Sequence, residues 1–388
     1  MLRNHSVPAS MTFRAFVTGA TGFIGRRLVR SLLDGGWHVR ALVPPGESPA
    51  LPPGVEVIRG DIMDPASLRG TMEDVDATFH LAALVDSWIR DPRQFFRVNV
   101  EGTDHVIEEA LRAQVWRFLF TSSMSGIGVT PGVVMREDSP PGKVFGAYEE
   151  SKAVAEQHVA AAVRERGLPA ITLIPSIVIG PGDVRNTGKF LLSYVRGEYP
   201  GTFAEDSPLP VVGVDDVVRA HLHAYERGRV GERYIISSEN VTWGELMRLS
   251  SQVSGTPVPS RHIGGRALWL ASRTGELMSR VTRAPPRLPA WLADFMLTGA
   301  KMDNSKSVRE LGMTYRPIAE SIGEAIGWFR TEGLLTRPPP PAAAHHLIRV
   351  PAENPPVGPE TELGASRVES PRDERPPVRR PKPPEGSA

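Results

Sequence analysis

Cysteine is absent from the 388-residue sequence. This absence excludes disulfide bonds, thiolate nucleophiles and cysteine-ligated metals, and it suits the reducing cytoplasm in which we expect the protein. The sequence also lacks any run of about 18 consecutive apolar residues, the length that a membrane-spanning helix needs. Residues 1–10 contain no apolar segment of the kind found in signal peptides.

Charge of one sign is not in excess either. The 45 lysines and arginines nearly balance the 44 aspartates and glutamates, for a formal net charge of +1. Overall charge therefore attracts neither nucleic acid nor an acidic membrane. No basic and aromatic pattern typical of nucleic-acid binding is present, and no His/Asp cluster has the spacing of metal ligands. We expect a small-molecule substrate, no nucleic-acid partner and no metal.

Proline is concentrated near one end of the chain. Residues 338–388 hold 14 of the 37 prolines, few aromatic residues and charges of both signs. Such a segment cannot bury enough apolar surface to offset the entropy lost on ordering. We interpret 336–388 as a disordered, proline-rich tail, and binding of a partner protein is the alternative role.

Upstream of this tail, short β-branched runs alternate with longer helical patterns. This alternation predicts an α/β fold, with a doubly wound parallel sheet covered by helices on both faces. We place the sheet in residues 12–175, and a smaller, mostly helical substrate-binding region, interleaved with it, in 176–335. A capping box of Thr242 and Glu245 opens a helix there. The predicted strands are 13–17, 39–43, 55–59, 77–81, 118–121 and 171–174, and the predicted helices include 22–34, 94–113 and 148–166.

Three glycines, Gly19, Gly22 and Gly25, join the first predicted strand to the first predicted helix. Glycine permits a tight turn and lets backbone N–H groups approach a pyrophosphate. The helix adds the positive end of its dipole to the same anion site. A plain tight turn is the alternative, but this position in an α/β chain favours a dinucleotide site. The residues expected to contact the cofactor here are Gly19, Thr21, Gly22, Phe23, Ile24 and Gly25.

Two later segments follow predicted strands and fit the same pocket. Asp61, which precedes Ile62, could accept a hydrogen bond from an adenine amino group, and a turn aspartate that caps a helix is the alternative. The small residues in Leu81-Ala82-Ala83 would let the cofactor cross a strand end without a clash. We interpret the preceding His80 as a packed histidine rather than a base.

Tyr148 and Lys152 are four residues apart, so both side chains face one side of a predicted helix. A tyrosine hydroxyl has an ordinary pKa of about 10, and an adjacent ammonium lowers it. Two surface residues are the alternative. Ser123 favours catalysis, because it ends a predicted strand at the edge where such sheets bind ligands. A domain that only binds a cofactor would not need all three.

Together these motifs resemble the extended short-chain dehydrogenase/reductases, the NAD-dependent epimerase/dehydratase family. The resemblance covers about residues 13–330 and is strongest to the dihydroflavonol-reductase-like branch, which includes the hopanoid-associated sugar epimerase group. It extends to Asn99 in NVEGT, to residues 175–181 and to residues 214–217. The resemblance implies a Rossmann-type fold, an NAD(P)(H) cofactor and, as is common in the superfamily, a homodimer.

The resemblance also implies a role for each site residue. Tyr148 would be the acid/base, Lys152 would lower its pKa and hold the nicotinamide ribose, and Ser123 would orient the substrate oxygen. Asn99 would be structural. The further cofactor contacts are Asp61, Ile62, Leu81, Ala82, Ala83, Tyr148, Lys152 and Pro175.

Two departures from the nucleotide-sugar enzymes bear on the substrate. Ile177 stands where those enzymes have an asparagine near the diphosphate, and Leu209 stands at their phosphate-binding arginine. A diphosphate needs charge-assisted partners. We therefore expect interconversion of a carbonyl and a secondary alcohol on a small hydrophobic or uncharged substrate. A nucleotide-sugar epimerase or dehydratase is the alternative, since other arginines could restore the clamp.

The choice between NAD and NADP depends on the end of the second predicted strand. NAD-preferring members carry an acidic residue there for the ribose diol, and residues 39–45 contain none. Arg40 and Arg26 could bind a 2′-phosphate, although Pro44 replaces an arginine that reductases have. The sequence favours NADP.

Residues 265–297 combine basic and apolar positions. Arg266, Arg273 and Arg280 recur every seven residues and share one helix face, with Leu270, Leu277 and Val281 on another arc. Such a helix can lie on an anionic membrane surface. We prefer a different interpretation of this helix, in which the leucines pack over the substrate cleft and the arginines face water.

Overall fold

The computed structural model describes residues 13–47, 50–185 and 187–335. The predicted proline-rich tail, 336–388, and the first residue of the predicted sheet region lie outside the described residues. All described residues belong to one compact unit.

Strands and helices alternate through the first half of the chain. The strands are β1 (Arg14–Thr18), β2 (His38–Val43), β3 (Glu56–Arg59), β4 (Ala77–His80), β5 (Arg117–Thr121), β6 (Val134–Met135), β7 (Ala170–Pro175), β8 (Ile177–Ile179), β9 (Thr202–Phe203), β10 (Pro208–Gly213), β11 (Arg233–Ile236), β12 (Glu239–Thr242), β13 (His262–Ile263) and β14 (Lys301–Met302). The α-helices are α1 (Phe23–Asp34), α2 (Pro65–Leu68), α3 (Arg93–Phe96), α4 (Gly102–Arg112), α5 (Ala147–Arg166), α6 (Thr187–Val195), α7 (Val214–Arg227), α8 (Trp243–Ser254), α9 (Gly265–Thr282), α10 (Ala290–Thr298) and α11 (Ile318–Thr331).

Seven parallel strands form the main sheet, in the spatial order β3-β2-β1-β4-β5-β7-β11. β1 lies between β2 and β4, so the strand order reverses at this point, and open α/β sheets bind their ligands at such a switch point. The prediction of a doubly wound parallel sheet is confirmed.

The two regions predicted on either side of Pro175 interleave. β11 comes from the second region and pairs with β7 of the first. The rest of the second region contains helices α6 and α8 to α11, a three-stranded sheet in the order β12-β10-β8 and the short pair β13-β9, and its β14 pairs with β6 of the first region. The expectation of a mostly helical C-terminal region is confirmed.

Local sequence signals account for several element ends. α1 starts after Gly22 and ends before Gly35, whose N–H donates to the Ser31 carbonyl. At the start of α8, Thr242 Oγ1 accepts from the Glu245 N–H at 3.1 Å, and Glu245 Oε2 accepts from the Thr242 N–H at 2.7 Å. This reciprocal pair is the predicted capping box.

Both faces of the main sheet are covered by apolar side chains from helices. On one face, Leu28 of α1 and Val217 of α7 pack with Phe79 of β4. On the other, Val106 of α4 and Val159 of α5 pack with strand residues. Burial on both faces explains the nearly continuous apolar strands. A third cluster lies beneath α6, α8, α10 and α11.

The prediction for the leucines of α9 is wrong. Leu270, Leu277 and Val281 are 57%, 64% and 81% exposed, so they do not cover the cleft. The helix instead buries Leu268, Ser272 and Ser279. No helix among the described residues is long and apolar enough to cross a membrane.

Candidate active site

The glycine turn lies against the end of β4. Gly19 has φ +69°, and a Cβ on it would come within 2.7 Å of the Ala82 nitrogen. A Cβ on Gly25 would lie 2.0 Å from the Gly19 oxygen. Only glycine fits at these two positions. No side chain caps the N-terminus of α1 at Gly22, so the N–H groups of its first turn suit a pyrophosphate.

His80 links β1, β4 and α4 through buried hydrogen bonds. Its Nδ1 lies 2.7 Å from Thr18 Oγ1, and its Nε2 lies 2.9 Å from Thr103 Oγ1. Thr103 donates to the Asn99 carbonyl, so Thr103 accepts from His80 Nε2–H, and Thr18 donates to Nδ1. Burial lowers the pKa of His80 to about 3. The histidine is therefore neutral and structural rather than a base.

Thr18 carries this network to the residues expected beneath the cofactor. Thr18 Oγ1 accepts from the Ala82 N–H at 3.1 Å, and the Leu81 N–H donates to the Thr18 carbonyl. Residues 81–83 therefore lie beside the glycine turn, on the carboxyl edge of the sheet.

Asp61 and Ile62 follow β3 on the same edge. Asp61 Oδ1 accepts from the Met63 N–H at 2.9 Å in a turn, but the helix that follows, α2, is capped by Asp64 rather than by Asp61. Ile62 directs its side chain toward Gly102, where a Cβ would lie 2.7 Å from Ile62 Cδ1, and its carbonyl bonds to His105. Their contacts with the adenine stay predictions.

Arg40 lies away from this edge, which corrects its predicted role as a cofactor contact. Its Nη1 donates to the carbonyl of Thr71 at 2.7 Å, and its Nε lies 3.1 Å from Glu56 Oε2. Thr71 precedes β4 and Glu56 begins β3, so both mark the amino-terminal edge of the sheet. A side chain held there does not reach the carboxyl edge.

Arg59, which the sequence analysis missed, lies where Arg40 was expected. It ends β3, and its Nη1 donates to the Pro44 carbonyl at 3.3 Å and also to the Glu47 carbonyl. These carbonyls belong to the loop that follows β2. The signal available in the sequence was an arginine at the last position of a predicted strand. Arg26 is exposed, with its guanidinium 3.9 Å from a Cβ built on Gly182.

The structure brings Ser123, Tyr148 and Lys152 together beyond the end of β5. Ser123 lies two residues beyond the end of β5, near Tyr148, and its hydroxyl lowers the Tyr148 pKa. Burial is the larger effect, followed by the charge of Glu149, and the net pKa of Tyr148 is raised. Tyr148 is therefore a neutral phenol at neutral pH.

Lys152 is buried behind this pair. Its Nζ donates to the Thr121 carbonyl at 2.9 Å and lies 4.5 Å from the centre of the Phe120 ring. Burial lowers the pKa of Lys152 to about 8, and the carboxylate of Glu156 partly opposes this. The amine is thus mainly protonated at neutral pH, as an electrostatic partner of a phenolate must be.

A π-helical turn holds α5 beside the loop after β4. The predicted helix 94–113 is divided by this turn, Arg97–Glu101, into α3 and α4. Within it, Asn99 accepts from the Leu84 N–H at 2.7 Å and donates to Ser151 Oγ at 2.9 Å. Ser151 in turn donates to the Tyr148 carbonyl. Asn99 therefore positions the backbone that carries Tyr148.

Comparison with known proteins places this arrangement in a family. The model of the NAD dependent epimerase/dehydratase family matches residues 15–237, more than half of the chain. The chain belongs to this family. It is an enzyme of the extended short-chain dehydrogenase/reductase type, with a nicotinamide dinucleotide as cofactor and a small molecule as substrate.

Relatives of the chain include proteins named for reductions and for sterol chemistry. A protein of Synechocystis sp. named for dihydroflavonol 4-reductase is 33% identical, over 85% of this chain and 98% of the relative. Sterol demethylase protein B of Methylococcus capsulatus is 33% identical, over 82% and 99%. The crystal structure of gox2253 is 34% identical, with a TM-score of 0.73, over 82% and 98%.

In this epimerase/dehydratase-family enzyme, two residues just after Ser123 are apolar and buried. Met124 and Ile127 belong to the buried cluster of the C-terminal region, which also contains Phe295 of α10. Leu209 is fully buried in the same cluster, and Ile177 packs against it. The side chains at the two positions where nucleotide-sugar enzymes would contact a diphosphate therefore contribute to the apolar core.

Glu149 is an ionisable group of this family member that the sequence analysis missed. Its Oε2 is enclosed and has no hydrogen-bond partner among the described residues. A Cβ on Gly146 would lie 2.5 Å from that oxygen and 3.2 Å from the Trp291 ring. Burial raises the pKa of Glu149 to about 7. The sequence contained no signal for this, because two consecutive glutamates in a helix are usually solvated.

Proposed function

We propose that this enzyme reduces a carbonyl group on an uncharged, apolar substrate to a secondary alcohol. The observation that carries the proposal is that apolar residues closely follow Ser123, with Met124 and Ile127 packed into the core of the C-terminal region. With Ile177 and Leu209 in the core, the described chain gives a diphosphate no charged partner at either position. An apolar ketone or aldehyde needs only hydrogen bonds at its oxygen.

The protonation states suit reduction. When bound, a nicotinamide dinucleotide would supply the hydride for the carbonyl carbon. Ser123 and Tyr148 hydrogen-bond the carbonyl oxygen, and Tyr148 gives its proton to that oxygen as the negative charge develops. The burial that raises the pKa of Tyr148 keeps this proton in place until it is needed. The Lys152 ammonium then stabilises the tyrosinate.

The names of the relatives agree with this substrate class. Dihydroflavonols and sterols both have uncharged ring skeletons, and the relatives named for them align along most of this chain. We therefore extend the proposal to a substrate with an apolar skeleton and few or no charges.

We propose NADPH as the preferred hydride donor. Support comes from β2, whose end has no acidic residue for a ribose diol, and from Arg59, whose guanidinium lies beside the Pro44 carbonyl in the loop after β2. A guanidinium at this point can pair with a 2′-phosphate.

The proposal is tested by assaying purified enzyme with NADPH and NADH against a panel of apolar ketones and aldehydes, and separately against UDP-glucose. We expect oxidation of one NAD(P)H for each alcohol formed with at least one apolar carbonyl, and no conversion of UDP-glucose. Epimerisation of UDP-glucose without net oxidation of the cofactor, together with inactivity on the carbonyl panel, would instead identify a nucleotide-sugar enzyme.

A further inference from the structure

α9 presents an apolar stripe to solvent. Leu270, Leu277, Met278 and Val281 are each more than half exposed. Monomeric proteins expose single apolar residues often, but contiguous apolar patches mark interaction surfaces. We call these four residues the α9 stripe.

The buried side of α9 shows that the stripe points away from the protein. Residues two positions apart on a helix lie about 200° apart around its axis. Leu268 is buried while Leu270 is exposed, and Ser279 is buried while Leu277 and Val281 are exposed. The stripe is therefore opposite the side that packs on the rest of the chain.

A row of positive charge runs beside the stripe. Arg266 precedes Leu270 by four residues, so the two are neighbours on the helix surface. Arg266, Arg280, Arg283 and Arg287 are exposed. The one acidic residue of α9, Glu276, lies 3.8 Å from Arg280.

The neighbouring Arg273 is already paired. It bonds both carboxylate oxygens of Asp294 at 2.9 Å and lies over the Trp269 ring. This pair ties α9 to α10 and fixes the orientation of the exposed face.

We propose that α9 lies in the surface of an anionic lipid bilayer, with the α9 stripe among the acyl chains and the arginines at the phosphates. An apolar arc opposite the packed side and arginines alongside it are the features of helices that lie in this plane. A second copy of the chain fits this face less well, since a two-fold contact between stripes would bring the same arginines together.

The position of the helix gives such docking a use. A loop joins α9 to α10. In α10, Trp291 Nε1 donates to the Ser87 carbonyl at 2.9 Å. The Trp291 ring lies next to Gly146, the residue before α5. Helices α9 and α10 therefore connect the lipid-facing surface to α5, the helix that carries Tyr148. An apolar substrate dissolved in the bilayer would be near the site without crossing water.

The test measures binding of the full-length protein to vesicles, and it does not depend on activity. The protein is sedimented with vesicles of phosphatidylcholine alone and with vesicles that contain about 30% phosphatidylglycerol. We expect several-fold more protein in the pellet with anionic vesicles at low salt, and a decrease at about 0.5 M salt. The Leu277→Glu/Val281→Glu variant should lose at least about tenfold in affinity.

A matched control places charges on exposed apolar residues elsewhere, in the Val230→Glu/Val258→Glu variant, which should pellet like the wild type. Wild-type protein that remains in the supernatant with anionic vesicles at low salt would overturn the proposal. So would a Leu277→Glu/Val281→Glu variant that still pellets, or a wild-type dimer on size exclusion that this variant dissociates, which would assign the stripe to a second copy. Melting curves of both variants confirm that they fold.

Discussion

At the scale of single residues, burial determines which groups near Ser123 carry charge. It raises the pKa of Tyr148, lowers the pKa of Lys152 to about 8 and raises the pKa of Glu149 to about 7. At neutral pH Tyr148 is therefore a neutral phenol and Lys152 mainly an ammonium, which are the protonation states that the proposed reduction needs. Of these three groups, Glu149 has the pKa nearest to 7.

Glu149 should make the stability of the protein depend on pH. Its pKa is raised from 4.5 to about 7 in the folded chain, so between these values the folded state binds more protons than the unfolded state. Stability then falls as pH rises through this window. In the absence of cofactor, Glu149→Gln should melt a few degrees above wild type at pH 8, with the difference vanishing near pH 4.5. Differential scanning calorimetry at both pH values measures this.

Glu150→Gln provides the control, because Glu150 is the exposed neighbour on the same helix. We expect no change of its Tm difference with pH. A constant difference between Glu149→Gln and wild type from pH 4.5 to pH 8 would show that the buried carboxyl does not titrate in this range.

At the scale of elements, local sequence patterns predict which segments form strands and which form helices. They do not predict at which edge of the sheet the side chain of a strand residue makes its contacts. Arg40 is the third of six residues of β2, about 10 Å from its carboxyl end at 3.3 Å per residue. Its carbonyl partners come from the loop before β4, and this tertiary contact leaves no local mark. Arg59 ends its strand and therefore lies at the carboxyl edge of the sheet, where we propose that the cofactor binds.

Arg59→Ala should weaken the binding of NADPH more than the binding of NADH. Loss of one charge-assisted contact to a 2′-phosphate is expected to raise the Kd for NADPH by about tenfold or more, with little change for NADH. Fluorescence titration of both dinucleotides measures the two constants. Arg40→Ala is the matched control, and we expect it to affect both dinucleotides alike. Equal weakening of NADPH and NADH by Arg59→Ala would remove Arg59 from the cofactor site.

At the scale of the whole molecule, the alternating patterns were sufficient to predict the parallel sheet. They could not predict that β11 joins β7, in which Arg233 pairs with Thr172, 61 residues earlier in the chain, since such pairing depends on long-range packing. Nor could the periodicity of α9 decide which of its faces packs. The apolar core beneath α10 makes that choice, through Leu268.

The central claim is that Tyr148 gives the proton in carbonyl reduction, and comparison of wild type with Tyr148→Phe tests it most directly. Turnover of an apolar carbonyl at saturating NADPH should fall by about 10²–10⁴-fold, while the Kd for NADPH stays within about threefold, since only the hydroxyl is lost. Tyr194→Phe, which removes a buried hydroxyl bonded to the Thr256 carbonyl, should keep nearly full activity. Wild-type turnover in purified Tyr148→Phe would contradict the account.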